Sequence, residues 1–390
     1  MSISTIIWFL FVFCIIVISH EFGHFIVAKL NGIHVEEFTI GMGPKIVGFH
    51  KNGTYYVLRW LPLGGACIFE GMDPIEAVEG SDDDKESEDE AGADTLVTME
   101  NGVNKDSECD GDMPKEEANY GIKFNDAPVW ARIATTLAGP FANFVIAFVM
   151  AIVVVWFCGS DLPVVHELME GYPAAESGLE DGDLITEING SKIYTAREIY
   201  VNTFVNKEGK PLTITYERDG EEYTTTIVPQ YSEEDDRYLL GLTNYGDYIE
   251  CNNASVFKYA AIEVRYCLVA TLKSLGMLLE GNGSKDDVSG PVGMAHIISD
   301  VQKQASPYGF GLVLLNMVNI AMLLSVNLGV MNLLPIPAID GGRLIFLLIE
   351  VVRGKPVPPE KEGIVHLAGF VLLFALMIFV MYNDISNWIG

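Results

Sequence analysis

Two histidines and a glutamate stand together at the end of the first apolar run, in Ser19-His20-Glu21-Phe22-Gly23-His24. His20 and His24 are spaced i and i+4, so a helix projects both imidazoles from one face. Two neutral imidazoles at that spacing can hold a zinc ion, and Glu21 beside them can act as general base toward water at the metal. A catalytic zinc centre needs a third protein ligand and an open position. Asn332-Leu-Leu-Pro-Ile-Pro-Ala-Ile-Asp340-Gly-Gly342 offers one: Pro335 and Pro337 end an apolar helix, and Asp340 supplies a carboxylate followed by two flexible glycines.

The elements that must position these groups are membrane spans. Residues 6–18 are all apolar, and 25–28 resume the run after the polar cluster, so 5–30 is long enough to cross a hydrocarbon core of about 30 Å. Ionisable groups on such a span are costly unless they face a polar or metal-holding interior. Irregular, proline-broken backbone at that depth is tolerated only where it lines a cavity. Further apolar runs at 133–157, 309–334 and 364–381 bring the expected number of spans to four. The N-terminus has no basic region and the first run ends in His-Glu, so it reads as a retained span rather than a signal peptide.

The bulk properties agree. The 390 residues are 49% hydrophobic, too apolar for an ordinary soluble enzyme. The net charge of −29 argues against nucleic-acid binding, and about half of it lies in residues 73–120, with 18 Asp/Glu against 3 Lys. That segment lacks hydrophobic periodicity and is expected to be a disordered, solvated insert. Six cysteines without regular spacing give no disulfide framework.

Two motif-bearing regions lie between the spans. Residues 38–49 and 55–65 are expected to form strands around the Lys51-Asn52-Gly53 turn, with Pro62 and Gly64-Gly65 breaking the second before it continues through 66–69. Strand edges beside a membrane site could dock an extended substrate by strand addition. Residues 160–245 turn soluble in character and contain Pro173-Ala-Ala-Glu-Ser-Gly-Leu-Glu-Asp-Gly-Asp-Leu-Ile-Thr-Glu-Ile-Asn-Gly190. This pattern resembles a circularly permuted PDZ domain of the bacterial type. The resemblance implies that Tyr238-Leu-Leu-Gly-Leu242, with Leu240 and Gly241 at its centre, accepts a peptide carboxyl terminus.

The expected fold class is therefore a multi-span α-helical membrane protein with a membrane-associated β region and an inserted extracytoplasmic PDZ-like α+β domain. The expected order is a first transmembrane helix at 1–30, a cytosolic β region at 31–72, the acidic insert at 73–120 and a second span at 131–158. The PDZ-like domain at 160–245 and amphipathic helices at 253–306 follow, the latter lying on the membrane or packing beneath that domain. A third span at 309–334, the Asp-Gly motif loop and cytosolic connection at 335–363, and a fourth span at 364–381 complete it. Arg343, Arg353, Lys355 and Lys361 fall in the last connection, while 1–5 and 382–390 have no Lys or Arg. The positive-inside rule places that connection in the cytoplasm and both termini and the PDZ-like domain outside a cell membrane.

With both polar motifs in view, the chain resembles the site-2 proteases, intramembrane zinc metalloproteases, and in particular the bacterial RseP-like branch with an external PDZ domain. His-Glu-Phe-Gly-His at 20–24, Ala-Gly-Pro-Phe-Ala-Asn-Phe at 138–144, Ser-Gly-Pro-Val-Gly at 289–293 and the 327–342 stretch bear the resemblance, which covers all but the insert. It implies His20, His24 and Asp340 as ligands of one Zn²⁺, Glu21 as general base, Asn332 near substrate, and Pro335 and Pro337 shaping that loop. It also implies single-pass membrane substrates, anti-sigma-factor-like proteins or remnant signal peptides, first shortened by an upstream site-1-type protease. Two other readings compete: a catalytically inactive membrane-tethered PDZ adaptor, and a metal transporter. The adaptor predicts a missing member among His20, Glu21, His24 and Asp340, and none is missing. The transporter wants ionisable groups on several spans, whereas the apolar run of span four has only His366 and that of span two, 133–157, has none.

Overall fold

The computed structural model describes residues 2–71, 120–283 and 287–389. The insert expected at 73–120 lies outside the described residues except for Tyr120. In chain order the elements are α1 (Ile3–Leu30), β1 (Val35–Lys51), β2 (Thr54–Phe69), α2 (Val129–Cys158), β3 (Ser160–Leu168), α3 (Pro173–Glu176), β4 (Leu184–Ile188) and β5 (Ser191–Lys192). Then come α4 (Ala196–Phe204), β6 (Leu212–Arg218), β7 (Glu221–Ile227), β8 (Gln230–Ser232), β9 (Arg237–Leu239) and β10 (Leu242–Ile249). The chain closes with α5 (Ala254–Leu279), α6 (Pro291–Ala305), α7 (Phe310–Leu333), α8 (Asp340–Arg353) and α9 (Pro359–Ile389).

Among the described residues, four helices are long and apolar enough to cross a membrane: α1, α2, α7 and α9. They are apolar nearly all round, as suits helices that meet both protein and lipid. Val12 and Ile16 of α1, Ala147, Met150 and Ala151 of α2, and Met317, Ala321, Met322 and Val326 of α7 form one buried core. Small residues recur where the helices approach most closely. A Cβ on Gly23 of α1 would overlap the Ala138 carbonyl of α2, and one on Gly329 of α7 would lie 3.0 Å from Phe144.

The β region folds back on itself more than a simple hairpin does. Asn52 and Gly53 both take positive φ, as the tight turn between β1 and β2 requires. Residues 37–40 of β1 pair in descending order with 68–65 of β2 and in ascending order with 55–58, so one stretch of β1 lies between two stretches of β2. The break expected at Pro62 and Gly64-Gly65 does not occur. β2 runs through to Phe69, because the positive φ of Gly41 and Gly64 lets the ladder bend and shift register without ending it.

Residues 160–249 form a separate α+β unit. Its sheet runs in the order β10-β3-β4-β6-β7, with β5 paired to β4, around a core of Val165, Ile185, Ile188, Ile199, Ile214 and Ile227. Thr195 and Glu198 form a capping box at the start of α4. One side of α4 meets α5 through ion pairs of Arg197 with Glu263 and of Arg265 with Glu198, and through Lys273 donating to Asn202. Burial pushes the Glu263 carboxyl up, and the adjoining Arg197 guanidinium pulls it back. α5 thus does more than lie beneath this unit. It also packs along the helical core at Ala260 and Cys267, and Thr271 donates to Asn327 of α7.

The connection expected as a loop at 335–363 contains α8, which is the main departure from expectation. Residues 344–352 are apolar with one glutamate, and Glu350 forms a bidentate ion pair with Arg132 of α2. Gly354, in the left-handed conformation, ends that helix. The Ser-Gly-Pro-Val-Gly stretch at 289–293 starts α6, and its exposed amides are capped from α9: Asp384 accepts from Gly290 N–H at 3.2 Å and Gly293 N–H at 2.8 Å. Replacing Asp384 with Ala should lower stability by about 0.5–2 kcal/mol, the range for a lost helix cap. Asp384→Asn, which keeps one acceptor, should lose less. Thermal unfolding of the detergent-purified variants measures both.

Candidate metal centre

The site lies where α1, α2, α7 and the start of α8 converge. His20 and His24 project from one face of α1, their ring centroids 4.7 Å apart. Their Nε2 atoms are 3.2 Å from each other, and Asp340 Oδ2 lies 3.1 Å from the first and 3.3 Å from the second. Ligands about 2.0–2.1 Å from a zinc ion stand about 3.3 Å apart on a tetrahedron edge, so the three atoms fit one such face. Asp340 Oδ2 is buried and has no hydrogen-bond partner, an arrangement that is costly unless a cation meets it. Among the described residues this is the one group of three or more His, Cys, Asp or Glu side chains with donors close enough to share an ion.

The surroundings decide which ring nitrogens face inward. His24 Nδ1 lies 2.8 Å from the Thr135 carbonyl of α2 and must donate to it, which leaves Nε2 as a lone-pair donor toward the cluster. The amide of Asn143, fully buried, lies 3.2 Å from His20 Nδ1. Its Nδ2 faces the ring and its Oδ1 accepts from Ser19 Oγ at 3.0 Å; exchanging the amide's nitrogen and oxygen, which have the same shape, would let the oxygen accept Nδ1–H and free His20 Nε2 in the same way. Gly139 makes room: a Cβ there would lie 2.8 Å from His20 Cε1 and closer still to His24. Pro140 follows within α2, where its missing N–H loosens the turn that receives the rings.

Asp340 is delivered by a tight turn. Pro335 is exposed and Pro337 half-buried, and Ala338 takes φ +77° before α8 begins. A Cβ on Gly341 would overlap the Leu334 carbonyl, and one on Gly342 would lie 2.9 Å from Pro337 Cα, so both glycines let the helix start against the preceding turn. Asn332, one residue before the end of α7, brings Nδ2 within 3.4 Å of His20 Nε2. Glu21 is half-buried, and β2 crosses it: a Cβ on Gly65 would lie 3.1 Å from Glu21 Cγ.

The structure brings His20, Glu21, His24, Asn332 and Asp340 together, with Pro335 and Pro337 in the turn beside them. Leu240 and Gly241 lie elsewhere, on the α+β unit. Leu240 is 3% exposed, its side chain in the core. Gly241 lines a groove between Tyr200, Thr203 and Phe204 of α4 and the stretch from Arg237 to Leu242. The roles of Thr135 and Gly139, and the contact between β2 and Glu21, were not expected from sequence. The Ala-Gly-Pro-Phe-Ala-Asn-Phe motif marked the region of α2, and only packing shows which atoms it offers.

Two substitutions test this geometry. Gly139→Ala should expel one imidazole and abolish stoichiometric metal binding, read as zinc per protein after dialysis. Asn143→Ala should weaken metal affinity or activity by about 10–100-fold, as expected for loss of a group that orients a ligand.

A profile of Peptidase family M50 matches residues 8–376. Zinc metalloprotease RasP of Geobacillus kaustophilus is 34% identical to this chain, and the alignment covers 99% of each. The Regulator of sigma-W protease RasP of Bacillus subtilis is also 34% identical over 99% of each, and Zinc metalloprotease RasP of Bacillus licheniformis is 36% identical over 98% of this chain and 99% of its own. Among solved structures, the PDZ domain of an SdrC-like protein from Listeria monocytogenes aligns with 22% of this chain and 85% of its own at 24% identity, with a TM-score of 0.19 that lends it no weight. The matched length and the relatives agree with the cluster on α1, α7 and α8: the chain belongs to peptidase family M50, the zinc metalloproteases of the site-2 type.

Proposed function

We propose that this protein hydrolyses peptide bonds within the transmembrane segments of single-pass membrane proteins that a site-1-type protease has already shortened. The observation that supports this most is the convergence of His20, His24 and the unpartnered Asp340 carboxylate on helices apolar enough to cross a membrane. The three would hold one zinc ion, which when bound supplies Lewis acidity toward water and the scissile carbonyl. Glu21 takes a proton from the attacking water and passes it to the nitrogen of the leaving amine as the C–N bond breaks and a C–O bond forms. Asn332, at the rim, donates toward the substrate backbone, and Pro335 and Pro337 hold its loop away from helical geometry.

A peptide bond inside a helix is shielded by its own hydrogen bonds, so the substrate must be extended to react. Residues 65–68 of β2 pair with β1 on one side and with no other strand among the described residues, and they cross Glu21. Strand addition there would place an extended segment beside the general base. The α+β unit at 160–249 is PDZ-like in this reading, and its groove at Gly241 receives the trimmed end of the substrate. The orientation follows the positive charges of 343–361: both termini and this unit lie outside, the β region inside. A Bacillus subtilis relative bears the name of a regulator of sigma-W, which favours an anti-sigma-factor-like substrate.

The test is cleavage of a pre-trimmed single-pass substrate in detergent by wild type and by Glu21→Gln. Wild type should cut within the span. Glu21→Gln should retain zinc and lose activity by at least about 10²–10⁴-fold, the range for a general base. Chelation should abolish wild-type cleavage and added Zn²⁺ should restore it. Binding of several trimmed substrates without cleavage by either protein would point instead to an inactive adaptor.

A further inference from the structure

α9 is the outermost of the four long apolar helices, and most of its side chains face outward. Two of its residues turn inward one turn apart. His366, the one ionisable residue in 364–381, is 6% exposed, and its Nδ1 accepts the backbone N–H of Ala338 at 3.0 Å. Gly369 lies so close to the ligand loop that a Cβ there would overlap Pro337. Ala338 itself has φ +77°, a left-handed conformation that an alanine holds only when its surroundings impose it. That residue is where the chain turns from Pro337 into the helix whose first residue is Asp340.

We propose that His366 is a positioning residue for the third metal ligand. An imidazole whose Nδ1 accepts a backbone N–H has its proton on Nε2, and Nε2 lies 3.8 Å from the Glu362 carboxylate one turn back. Phe346 of α8 packs against the ring at 5.5 Å between centroids. Phe346 thus packs on the ring, and the ring's lone pair fixes the strained Ala338 peptide. This keeps Asp340 Oδ2 within 3.1–3.3 Å of both histidine Nε2 atoms. The last span, remote in sequence from the chemistry, thus sets the geometry of the site.

The inference rests on Asp340 being a ligand, and one experiment separates the two claims. Full-length protein is loaded with Co²⁺, whose visible absorption reports coordination geometry, and metal retention is followed against a competing chelator. His366→Leu should weaken retention by about 10–100-fold, shift the cobalt spectrum and lower kcat more than it raises KM. His366→Asn, with its oxygen near the Nδ1 position, should restore most of all three. Adding Ala338→Gly to His366→Leu should recover part of the loss, because glycine adopts the left-handed turn without strain. If His366→Leu does not fold, His366→Gln replaces it, since its acceptor lies one bond further out and should fail likewise. A native spectrum and native retention in His366→Leu would overturn the proposal. So would a His366→Asn as impaired as His366→Leu, which would make ring shape rather than the acceptor decisive. Asp340→Ala is the control: an unchanged spectrum there would sink the ligand reading itself.

Discussion

Three polar side chains whose donor atoms meet within an apolar helical bundle impose the main constraint on this molecule. His20, His24 and Asp340 would each be expensive in a span if left unmatched, so every nearby element is shaped to orient them. The Thr135 carbonyl and the Asn143 amide take up the outer ring nitrogens, so that the inner ones face a common point. Gly139 gives up its side chain to admit the rings, and Gly341 and Gly342 give up theirs to bring Asp340 within reach. The same interactions that make the buried histidines tolerable also select the tautomers in which they can bind a cation.

The ligand loop shows how support is spread over distant sequence. Its approach is set by α7, its exit by α8, and its middle by α9 through His366 and Gly369. α8 is in turn tied to α2 by the largely buried bidentate ion pair of Arg132 and Glu350. α9 is tied at its other end to α6 by Asp384. The His20, His24 and Asp340 cluster therefore lies in a ring of cross-links that closes over some 250 residues of chain, from Arg132 to Asp384.

The α+β unit is joined to this frame by polar contacts between α4 and α5, and by a small apolar cluster in which Ile249 of β10 packs with Val155 of α2 and Val256 of α5. α4 presents one side to the groove at Gly241 and another to α5, where Arg197, Glu198 and Asn202 meet Glu263, Arg265 and Lys273. α5 then contacts α7 at Asn327, five residues before Asn332. A continuous set of packed and hydrogen-bonded elements thus joins the groove to the rim of the metal centre.

Much of this was legible in the residues alone. The i, i+4 histidines, the apolar runs and the proline-broken Asp-Gly-Gly stretch depend on local spacing and hydrophobicity, which sequence states directly. The α+β unit was marked by the change to soluble character from residue 160 and by the pattern at 173–190. What sequence did not state was anything decided by through-space fit: that β2 continues past Pro62 and crosses Glu21, that 340–353 is helical, that α5 runs along the core, and that a histidine in the last span meets Ala338. Each depends on contacts between residues far apart in the chain, where no local period or propensity records the partner. Sequence named the groups able to do the chemistry; tertiary structure decided which atoms of those groups face one another.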